Sequence, residues 1–390
     1  MEGVVDCNPC RVAIIQSRLA PFRVSFFERL GRNGGIELTV FTARYDAGGS
    51  RLKAGLNSSF QLRPLKTFSW APGSCTFHPG LPWAILMGKF DVVVAEARLG
   101  LLLNPLVLAL CRLMGKRFLW WTCGWERSEM EAISKLKRFA RRILFPLAHG
   151  GIAYSRVAQR YLVSLGMRPE RTWVAHNSLD TDSLLAIESE LRKDGNFAAP
   201  VLAQFGAEGK LIVLFVGKLT RPKHVDLLLR AFDRVQQQRA NAVLWIVGDG
   251  PDRARLEAIA RETNNSAVRF LGEITAPHAI NSLYMVADVF ALPGTGGLAL
   301  NQAMTFGKPV VVSSADGTEE DLVIDGQNGL YFEPNNSEDL ARKILLLLDD
   351  SVRRAQMGRR SRDLILRSIN MTNMVDSFRD AIFDRHPAPP

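Results

Sequence analysis

The stretch LPGTGGLALNQAMTFGKPVVV, residues 292–312, shows the alternation of elements on which the fold of this chain is built. It opens with a strand end and a glycine turn, and apolar side chains one helical turn apart predict a helix that starts near Gly297. Gly307 and Pro309 end that helix, and a short apolar run follows as the next buried strand. Such a glycine-rich loop before a helix N-terminus can hold an anion with backbone N–H groups.

Short apolar runs recur along the whole chain and alternate with segments of helical periodicity. In the first half they lie at residues 12–16, 36–41, 91–96, 117–122 and 151–155. In the second half they lie at residues 211–217, 242–248, 268–272, 288–293, 308–313 and 329–334. Continuous apolar strands separated by helices predict parallel sheets covered on both faces, and two such series predict two doubly wound α/β domains.

The segment between the two series indicates where the domains meet. Residues 180–210 are polar, uneven and rich in Gly and Ala, as is typical of a joint between domains. We therefore expect one domain at residues 1–185 and a second at residues 186–370.

Composition sets the class of protein. The 390 residues, 47% apolar and 23% charged, are typical of a soluble globular protein with two or three domains. Residues 1–10 do not have the pattern of a secretory signal, and the longest apolar segment, residues 101–114, is too short and too interrupted to span a bilayer. The five cysteines are scattered, and Cys7 and Cys10 have no partners to complete a zinc site. We expect a cytoplasmic protein without a metal site or bound cofactor.

The net charge of +10 is unevenly divided. Residues 1–180 carry 25 Lys and Arg against 12 Asp and Glu, and the remaining residues carry 24 against 27. Part of the excess lies in residues 134–149, SKLKRFARRILFPLAH, which predict an amphipathic helix. This helix is either a surface helix with a solvated basic side or a peripheral helix attracted to an anionic membrane surface. No nucleic acid is expected as a partner, because neither a recognition helix nor an aromatic platform accompanies the charge.

Two more strand-to-helix turns carry candidate binding residues, since ligands of open α/β sheets bind at the carboxyl ends of strands. In FVGKLTRPKHVDLLLRAF, residues 215–232, Lys218 and Lys223 are placed to reach one polyanion, or they are two exposed lysines near a turn. In WIVGDGPDRARLEAIA, residues 245–260, Gly248 and Gly250 form a tight turn before a helix.

Together with residues 292–312, these segments resemble the retaining nucleotide-sugar glycosyltransferases of the GT-B fold, in particular the large fourth family that builds bacterial polysaccharides and glycolipids. The segments VRFLGEI (268–274), SLYMVADVFALPG (282–294) and DGQNGLYFEPNNSEDLARKI (325–344) are similar to further parts of that family, and the likeness extends over nearly the whole chain from about residue 11. It implies two Rossmann-like domains facing a cleft, with the C-terminal helix, residues 371–390, crossing back to the first domain.

The resemblance assigns the nucleotide-sugar donor to residues 186–370. Lys218, where the family usually has Arg, and Lys223 are implied to stabilise the departing nucleoside diphosphate, so that no metal is needed. The residues implied to bind the donor are Gly217, Gly250, Gly272, Ile274, Gly296, Gly297, Leu298 and Gln302.

The chain departs from the family at its usual pair of glutamates, which are separated by seven residues. The second glutamate, on the donor ribose, aligns with Gln302, which can still form a hydrogen bond. The first, near the sugar, aligns with Gly294 in a loop that we interpret as shortened. We therefore expect this loop to hold the diphosphate through the backbone.

The first domain, residues 1–185, is implied to bind the acceptor. Glu126 is the catalytic candidate on this side, and Glu96 ends the preceding strand. Cys123 takes the position of a histidine common in relatives, so a histidine role is not carried over. Arg18 and Arg23, in the first strand-to-helix loop, are candidates for binding an anionic acceptor or a donor phosphate.

These observations predict a cytoplasmic, metal-independent, retaining glycosyltransferase. Its donor is a nucleoside-diphosphate sugar, and its acceptor is a saccharide or a lipid-linked saccharide of polysaccharide or glycolipid synthesis. Two alternatives stay open: a catalytically degenerate GT-B scaffold or binding subunit of a polysaccharide assembly complex, and a nucleotide-sugar epimerase of the same fold.

Overall fold

The computed structural model describes residues 8–32, 34–45, 59–70, 75–97, 101, 103–124, 135–262 and 266–385. The chain forms two compact units. The N-terminal unit consists of Met1–His176 together with Met371–Pro390, and the C-terminal unit consists of Asn177–Asn370.

A seven-stranded parallel sheet forms the centre of the N-terminal unit, in the order β3-β2-β1-β6-β7-β8-β9. Strand order reverses between β1 and β6, where Ile14 pairs with Val40 on one side and with Val94 on the other. A separate antiparallel pair is formed by β4 and β5. The strands are β1 (Cys10–Leu19), β2 (Ile36–Tyr45), β3 (Gln61–Pro64), β4 (Phe68–Trp70), β5 (Cys75–Phe77), β6 (Val92–Glu96), β7 (Arg117–Thr122), β8 (Gly150–Ala153) and β9 (Thr172–Val174).

Helices cover both faces of this sheet. The buried faces of α1 and α15 pack with Val12 and Ile14, whereas those of α2, α3 and α5 pack with Ala13 and Ile15. Alternate residues of β1 therefore belong to two different cores, which explains its continuous apolar run. The helices are α1 (Val24–Arg32), α2 (Gly80–Met87), α3 (Asn104–Leu113), α4 (Lys135–Leu144), α5 (Arg156–Ser164) and α15 (Met371–Phe383).

A six-stranded parallel sheet forms the centre of the C-terminal unit, in the order β12-β11-β10-β13-β14-β15. Its order reverses between β10 and β13, so this unit has the same doubly wound topology. The strands are β10 (Leu211–Val216), β11 (Ala242–Val247), β12 (Val268–Gly272), β13 (Val289–Leu292), β14 (Val310–Val312) and β15 (Gly329–Tyr331).

The helices of the C-terminal unit pack around this sheet and bury one continuous apolar core. They are α6 (Thr181–Lys193), α7 (Ala198–Gln204), α8 (Val225–Gln238), α9 (Arg253–Glu262), α10 (Pro277–Val286), α11 (Leu298–Thr305), α12 (Glu319–Leu322), α13 (Ser337–Asp349) and α14 (Ser351–Arg367). The predicted start of a helix near Gly297 and its end before Gly307 are confirmed.

The two predicted doubly wound α/β domains are confirmed, but the segment between them differs from the expectation. Residues 180–210 contain the helices α6 and α7, and a boundary between residues 185 and 186 would fall inside α6. The units divide between His176 and Asn177 instead. The sequence analysis missed α6 because small polar residues stand at its start. One of them, Asp180, is the N-cap and accepts a hydrogen bond from the Ser183 N–H.

Four short strands were not predicted: β3, β4, β5 and β9 have three or four residues each. Their sequences lack a long apolar run, so the periodicity of the chain does not mark them. None of the helices within the described residues is long and apolar enough to cross a membrane.

The last helix completes the core of the N-terminal unit. Phe378 on α15 is fully buried, and its ring centroid lies 4.7 Å from that of Phe26 and 4.9 Å from that of Trp121. Just beyond the helix, the main-chain oxygen of Arg385 accepts a 2.8 Å hydrogen bond from the Trp173 indole. The segment from α15 to Arg385 thus stabilises α1, β7 and β9 of the same unit.

We expect Phe378→Ala to lower the free energy of unfolding of the N-terminal unit by about 3–5 kcal/mol, because a buried ring leaves a cavity when it is removed. Urea unfolding followed by tryptophan fluorescence measures the loss. Val352→Ala, at an exposed apolar position of the C-terminal unit, is the control and should change stability by less than about 0.5 kcal/mol. An equal effect of the two substitutions would contradict this role of α15.

Candidate functional site

The glycine-rich turn of the C-terminal unit lies between β13 and α11. Gly297 is the N-cap of α11 and offers no side chain to the N–H groups of the first helical turn. Gly296 has a φ of 140°, a conformation that favours glycine. The turn thus leaves backbone donors at a helix N-terminus, where the helix dipole favours an anion.

Lys223 lies against this turn. It ends the 3-10 helix Arg221–Lys223 that follows β10, and its ammonium group donates a hydrogen bond to the main-chain oxygen of Thr295. The Thr295 N–H donates in turn to the main-chain oxygen of Pro222 at 3.0 Å. A Cβ atom at Gly296 would lie 2.5 Å from Lys223 Nζ. The structure therefore brings the predicted cation and the predicted glycine turn together.

Lys218 is placed less directly. It is exposed and follows Gly217 at the end of β10. The next residue, Leu219, donates its N–H to the main-chain oxygen of Asp249 at 2.9 Å and so ties this loop to the turn after β11. The contacts known for the described residues do not link Lys218 to the glycine turn, so its role on the diphosphate stays a prediction.

Glycines let the ends of β10, β11 and β12 approach one another. A side chain at Gly248 or Gly250 would collide with the main-chain oxygens of Gly217 and Leu219, respectively. The Gly248 N–H donates to the main-chain oxygen of Gly272 at 2.7 Å. The predicted donor glycines after these strands therefore form one closely packed edge of the sheet. Beyond it, Ile274 packs partly against the apolar core.

The loop after β14 adds a residue that the sequence analysis missed. Asp316 Oδ2 accepts a hydrogen bond of 3.1 Å from the Gly296 N–H. Asp316 Oδ1 accepts from the Thr318 N–H at 3.1 Å and from the Thr318 hydroxyl. A carboxylate thus contacts the glycine turn directly. The available signal was its position just after a predicted strand end.

A second carboxyl group, that of Glu319, stabilises the loop after β14. Glu319 is buried and accepts hydrogen bonds from the Ala315 N–H at 2.7 Å and from the Gly317 N–H at 2.9 Å. Burial and the nearby charge of Asp316 raise the pKa of Glu319. The Glu319 carboxyl is buried and already hydrogen-bonded within the loop, so Asp316 is the more accessible of the two carboxyl groups.

The two positions of the family's glutamate pair differ in what they offer. Gln302, on α11, is half-buried and donates from Nε2 to Asn281 Oδ1 at 2.6 Å, so its role on a ribose stays a prediction. At Gly294 a Cβ atom would lie 2.8 Å from Lys223 Cα and would also collide with the main-chain oxygen of Pro222. The close approach of the Pro222–Lys223 backbone excludes any side chain at position 294.

The N-terminal unit has its own polar cluster at the carboxyl ends of its strands. Glu96, the last residue of β6, accepts hydrogen bonds from the Ser17 N–H at 3.2 Å and from the Ser17 hydroxyl at 2.6 Å. Its carboxylate therefore joins the ends of β1 and β6. Cys123, which follows β7, is exposed. Glu126 lies outside the described residues.

The sequence analysis proposed Arg18 and Arg23 of the first strand-to-helix loop as anion-binding residues, and the structure places the two differently. Arg23 is 5% exposed, and its guanidinium lies 4.7 Å from the ring centroid of Trp121 and 3.0 Å from the Tyr154 hydroxyl. The rings of Phe22, Trp121 and Tyr154 surround this guanidinium, at 4.7–5.2 Å from their centroids. Arg18 belongs to β1 and is exposed. Trp121 on β7 and Tyr154 just after β8 are distant from Arg23 in the chain, which is why the sequence did not show the burial of Arg23.

Tyr154 is the functional candidate that this cluster adds. Burial raises the pKa of its phenol to about 12, and the nearby Arg23 opposes this shift. Tyr154 therefore stays protonated at neutral pH and can donate a hydrogen bond. It follows β8 directly, a position that the sequence analysis did not weigh.

In the described parts of the chain, no three His, Cys, Asp or Glu side chains lie close enough together to hold a metal ion.

Residues 203–364, within the C-terminal unit, match the family of glycosyl transferases group 1. An uncharacterized glycosyltransferase of Methanocaldococcus jannaschii, MJ1069, is 25% identical over 308 residues, which are 76% of this chain and 75% of that protein. A GDP-mannose-dependent monoacylated alpha-(1-6)-phosphatidylinositol monomannoside mannosyltransferase of Corynebacterium glutamicum is 32% identical over 151 residues, 36% of this chain and 39% of that protein.

Solved structures share the fold of both units. Anabaena Alr3699/HepE in complex with UDP and glucose has a TM-score of 0.74 at 18% identity and covers 96% of this chain and 100% of that chain. WaaG, a glycosyltransferase involved in lipopolysaccharide biosynthesis, has a TM-score of 0.69 at 17% identity and covers 95% of this chain and 99% of that chain. The predicted GT-B fold is thereby confirmed.

A glutamate at position 294, where the resemblance predicts one in relatives, should not fit into this chain. We expect Gly294→Glu to lower the free energy of unfolding by about 1–3 kcal/mol, because the side chain must push the Pro222–Lys223 backbone away. Gly294→Ala should lose stability as well, which separates crowding from charge. Gly195→Ala, where a Cβ atom meets open space, is the control. A stable and more active Gly294→Glu variant would show that this loop is mobile enough to accept a side chain.

Proposed function

We propose that this chain, which has the GT-B fold, is a glycosyltransferase that transfers a sugar with retention of configuration. The donor is a nucleoside-diphosphate sugar, and the acceptor is a hydroxyl group of a saccharide or a lipid-linked saccharide. The observation that carries the proposal is the contact between Lys223 and the glycine turn at the start of α11.

The chemistry of the leaving group explains why this contact matters. When the glycosidic bond to phosphate breaks, negative charge develops on the nucleoside diphosphate. A lysine ammonium and backbone N–H groups at a helix N-terminus stabilise such charge, because they are already oriented in the folded protein. We propose that Lys223, assisted by Lys218, does this without a metal ion. The leaving phosphate can then take the proton of the acceptor hydroxyl on the same face of the sugar.

Asp316 is our candidate for the carboxylate that Gly294 cannot supply. Its hydrogen bond to the Gly296 N–H puts a negative charge at the glycine turn, the part of the loop from which the family's first glutamate reaches the sugar. A carboxylate there can stabilise positive charge on the sugar ring as the bond to phosphate breaks. The charge would come from the loop after β14 rather than from the turn itself.

The class of acceptor is proposed from the relatives and from the charge of the N-terminal unit. The Corynebacterium relative is named for a phosphatidylinositol mannoside, and WaaG for lipopolysaccharide biosynthesis. We propose a glycolipid or polysaccharide acceptor bound by the N-terminal unit, with Arg18, Glu96, Cys123 and Glu126 as candidate contacts. Residues 134–149 would attract this unit to an anionic membrane surface, at the inner face of the cytoplasmic membrane.

Nucleotide binding tests the role of Lys223. Calorimetry with a panel of nucleoside diphosphates should find micromolar binding for one base, and Lys223→Ala should weaken it about 10- to 100-fold, the loss expected for a hydrogen bond to a charged group. Lys218→Ala should weaken it less. Lys193→Ala, an exposed lysine of the same unit, is the control and should bind as the unchanged protein does.

Absence of binding to every nucleoside diphosphate would favour a degenerate scaffold over an enzyme. For an active donor, the anomeric configuration of the product, measured by NMR, should equal that of the donor. An inverted product would contradict the retaining mechanism but not the donor site.

Asp316→Asn separates binding from chemistry. Because a nucleoside diphosphate lacks the sugar, its affinity should not fall, whereas kcat for transfer should drop about tenfold or more as the charge near the sugar is lost. Steady-state kinetics beside calorimetry measures both. Unchanged kcat together with tighter nucleotide binding would show that Asp316 only competes with phosphate for the Gly296 N–H.

A further inference from the structure

Two neighbouring helices of the N-terminal unit lack the polar outer side that surface helices normally have. The sequence of α2, GLPWAILM, contains no charged side chain, and α3, NPLVLALCRL, contains a single one, Arg112. A helix that is apolar all round is normally buried on all sides. These two helices are instead covered on one side only, by the sheet of their own unit.

Their outward side chains are exposed. On α2, Leu81 and Ile85 point to the core, while Trp83 and Met87 lie on the opposite side and are 64% and 63% exposed. On α3, Val107 and Cys111 are buried, whereas Leu113 is 85% exposed. We call the exposed set the apolar face: Trp83, Leu86, Met87, Leu106, Leu113 and Met114.

Hydrogen bonds between helix ends show that the parts of this face belong together. Lys116, just after α3, donates to the main-chain oxygens of Ile85 at 3.1 Å and Gly88 at 2.6 Å, at the end of α2. Arg112 donates to the main-chain oxygen of Leu147 at 2.7 Å, in the segment that follows α4. The ends of α2, α3 and α4 are therefore adjacent on one side of the unit.

The helix α4 extends this side with both apolar and basic groups. Phe139 and Ile143 share the apolar side of the amphipathic helix α4. They are 63% and 50% exposed rather than buried. Arg138 and Arg142 beside them are exposed as well. A surface helix that shows its apolar side to solvent does not fit the first of the two interpretations of residues 134–149.

The charged residues at the ends of α2 and α3 and along the described part of α4 are basic. Lys89 and Arg112 are exposed at the ends of α2 and α3, and residues 135–169 contain no Asp or Glu. Between residues 79 and 122 the acidic residues are Asp91 and Glu96, at opposite ends of β6, where they accept hydrogen bonds from Arg11 and Ser17. A second copy of this chain is therefore a poor partner, because a symmetric pair would bring two basic surfaces together.

We propose that the apolar face inserts into the outer hydrocarbon of an anionic bilayer, while Arg138 and Arg142 of α4 bind the lipid headgroups. Apolar tips surrounded by Lys and Arg fit this interface, and an exposed Trp is typical of its boundary. The inference rests on the proposed attraction of α4 to anionic lipid and adds the element that anchors it. Electrostatic binding alone would be released by salt, whereas insertion would persist.

Vesicle co-sedimentation of the full chain tests the proposal. The protein should pellet with vesicles of phosphatidylcholine and phosphatidylglycerol and less with phosphatidylcholine alone, and part of the binding should persist at high salt. The double variant Met87→Gln with Leu113→Gln, which keeps every charge, should lose the salt-resistant part and bind at least about tenfold more weakly. The fluorescence emission of Trp83 should shift to the blue when the protein binds vesicles. The Trp83→Phe variant, which lacks this emission, identifies its contribution.

Matched variants separate insertion, charge and nucleotide binding. Arg138→Gln with Arg142→Gln should weaken binding at low salt and leave the salt-resistant part. Val352→Gln, a 65% exposed apolar residue of the C-terminal unit, should change nothing. Calorimetry with a nucleoside diphosphate should be the same for all these variants, so a failure of the donor site would be seen separately.

Two results would overturn the proposal. One is a protein that stays in the supernatant with anionic vesicles, or a Met87→Gln and Leu113→Gln variant that pellets as the unchanged protein does. The other is self-association in sedimentation velocity that this double variant abolishes while vesicles are not bound, since the face would then be a protein interface.

Discussion

The loops of the C-terminal unit meet backbone to backbone at the carboxyl ends of β10 and β13, and the candidate donor site depends on this approach. Gly294 packs against the main chain of Pro222 and Lys223, and Gly296 packs against the Lys223 ammonium group. Any side chain at position 294 would push these loops apart. The packing that holds Lys223 against the glycine turn therefore leaves no room for a side chain at position 294. Asp316 supplies a carboxylate at this turn instead, through its contact with the Gly296 N–H.

The sequence predicted those features that arise from local periodicity. The long strands, such as β10 and β11, are apolar runs bounded by glycine, and the start of α11 follows from apolar spacing after Gly297. It could not predict partners that come from distant parts of the chain. The burial of Arg23 was not predicted because Trp121 and Tyr154, which enclose it, are about 100 residues or more away in the chain. Asp316 was missed because its partner, Gly296, lies in a different loop. Asp316 follows β14, whereas Gly296 follows β13.

The division of charge along the chain gains meaning from the structure. The basic excess of the first half accompanies a sheet with two covering helices, α2 and α3, that are apolar on both sides, whereas the C-terminal unit has ordinary amphipathic helices such as α8. An apolar segment too short to span a bilayer can still serve as the outer layer of an α/β domain. Residues 101–114 are too short to span a bilayer, but the exposed Leu113 fits the proposed insertion into the outer hydrocarbon.

The path of the chain through the two units has a consequence for its synthesis. Since α15 joins the N-terminal unit, the C-terminal unit is an insertion between the first nine strands and the helix that completes their core. On the ribosome, the C-terminal unit can finish folding as soon as Asn370 has left the exit tunnel. The N-terminal unit emerges first, and its Phe26 and Trp121 stay uncovered until α15 has also left the exit tunnel. A chaperone that shields these rings during translation would therefore act on the N-terminal unit.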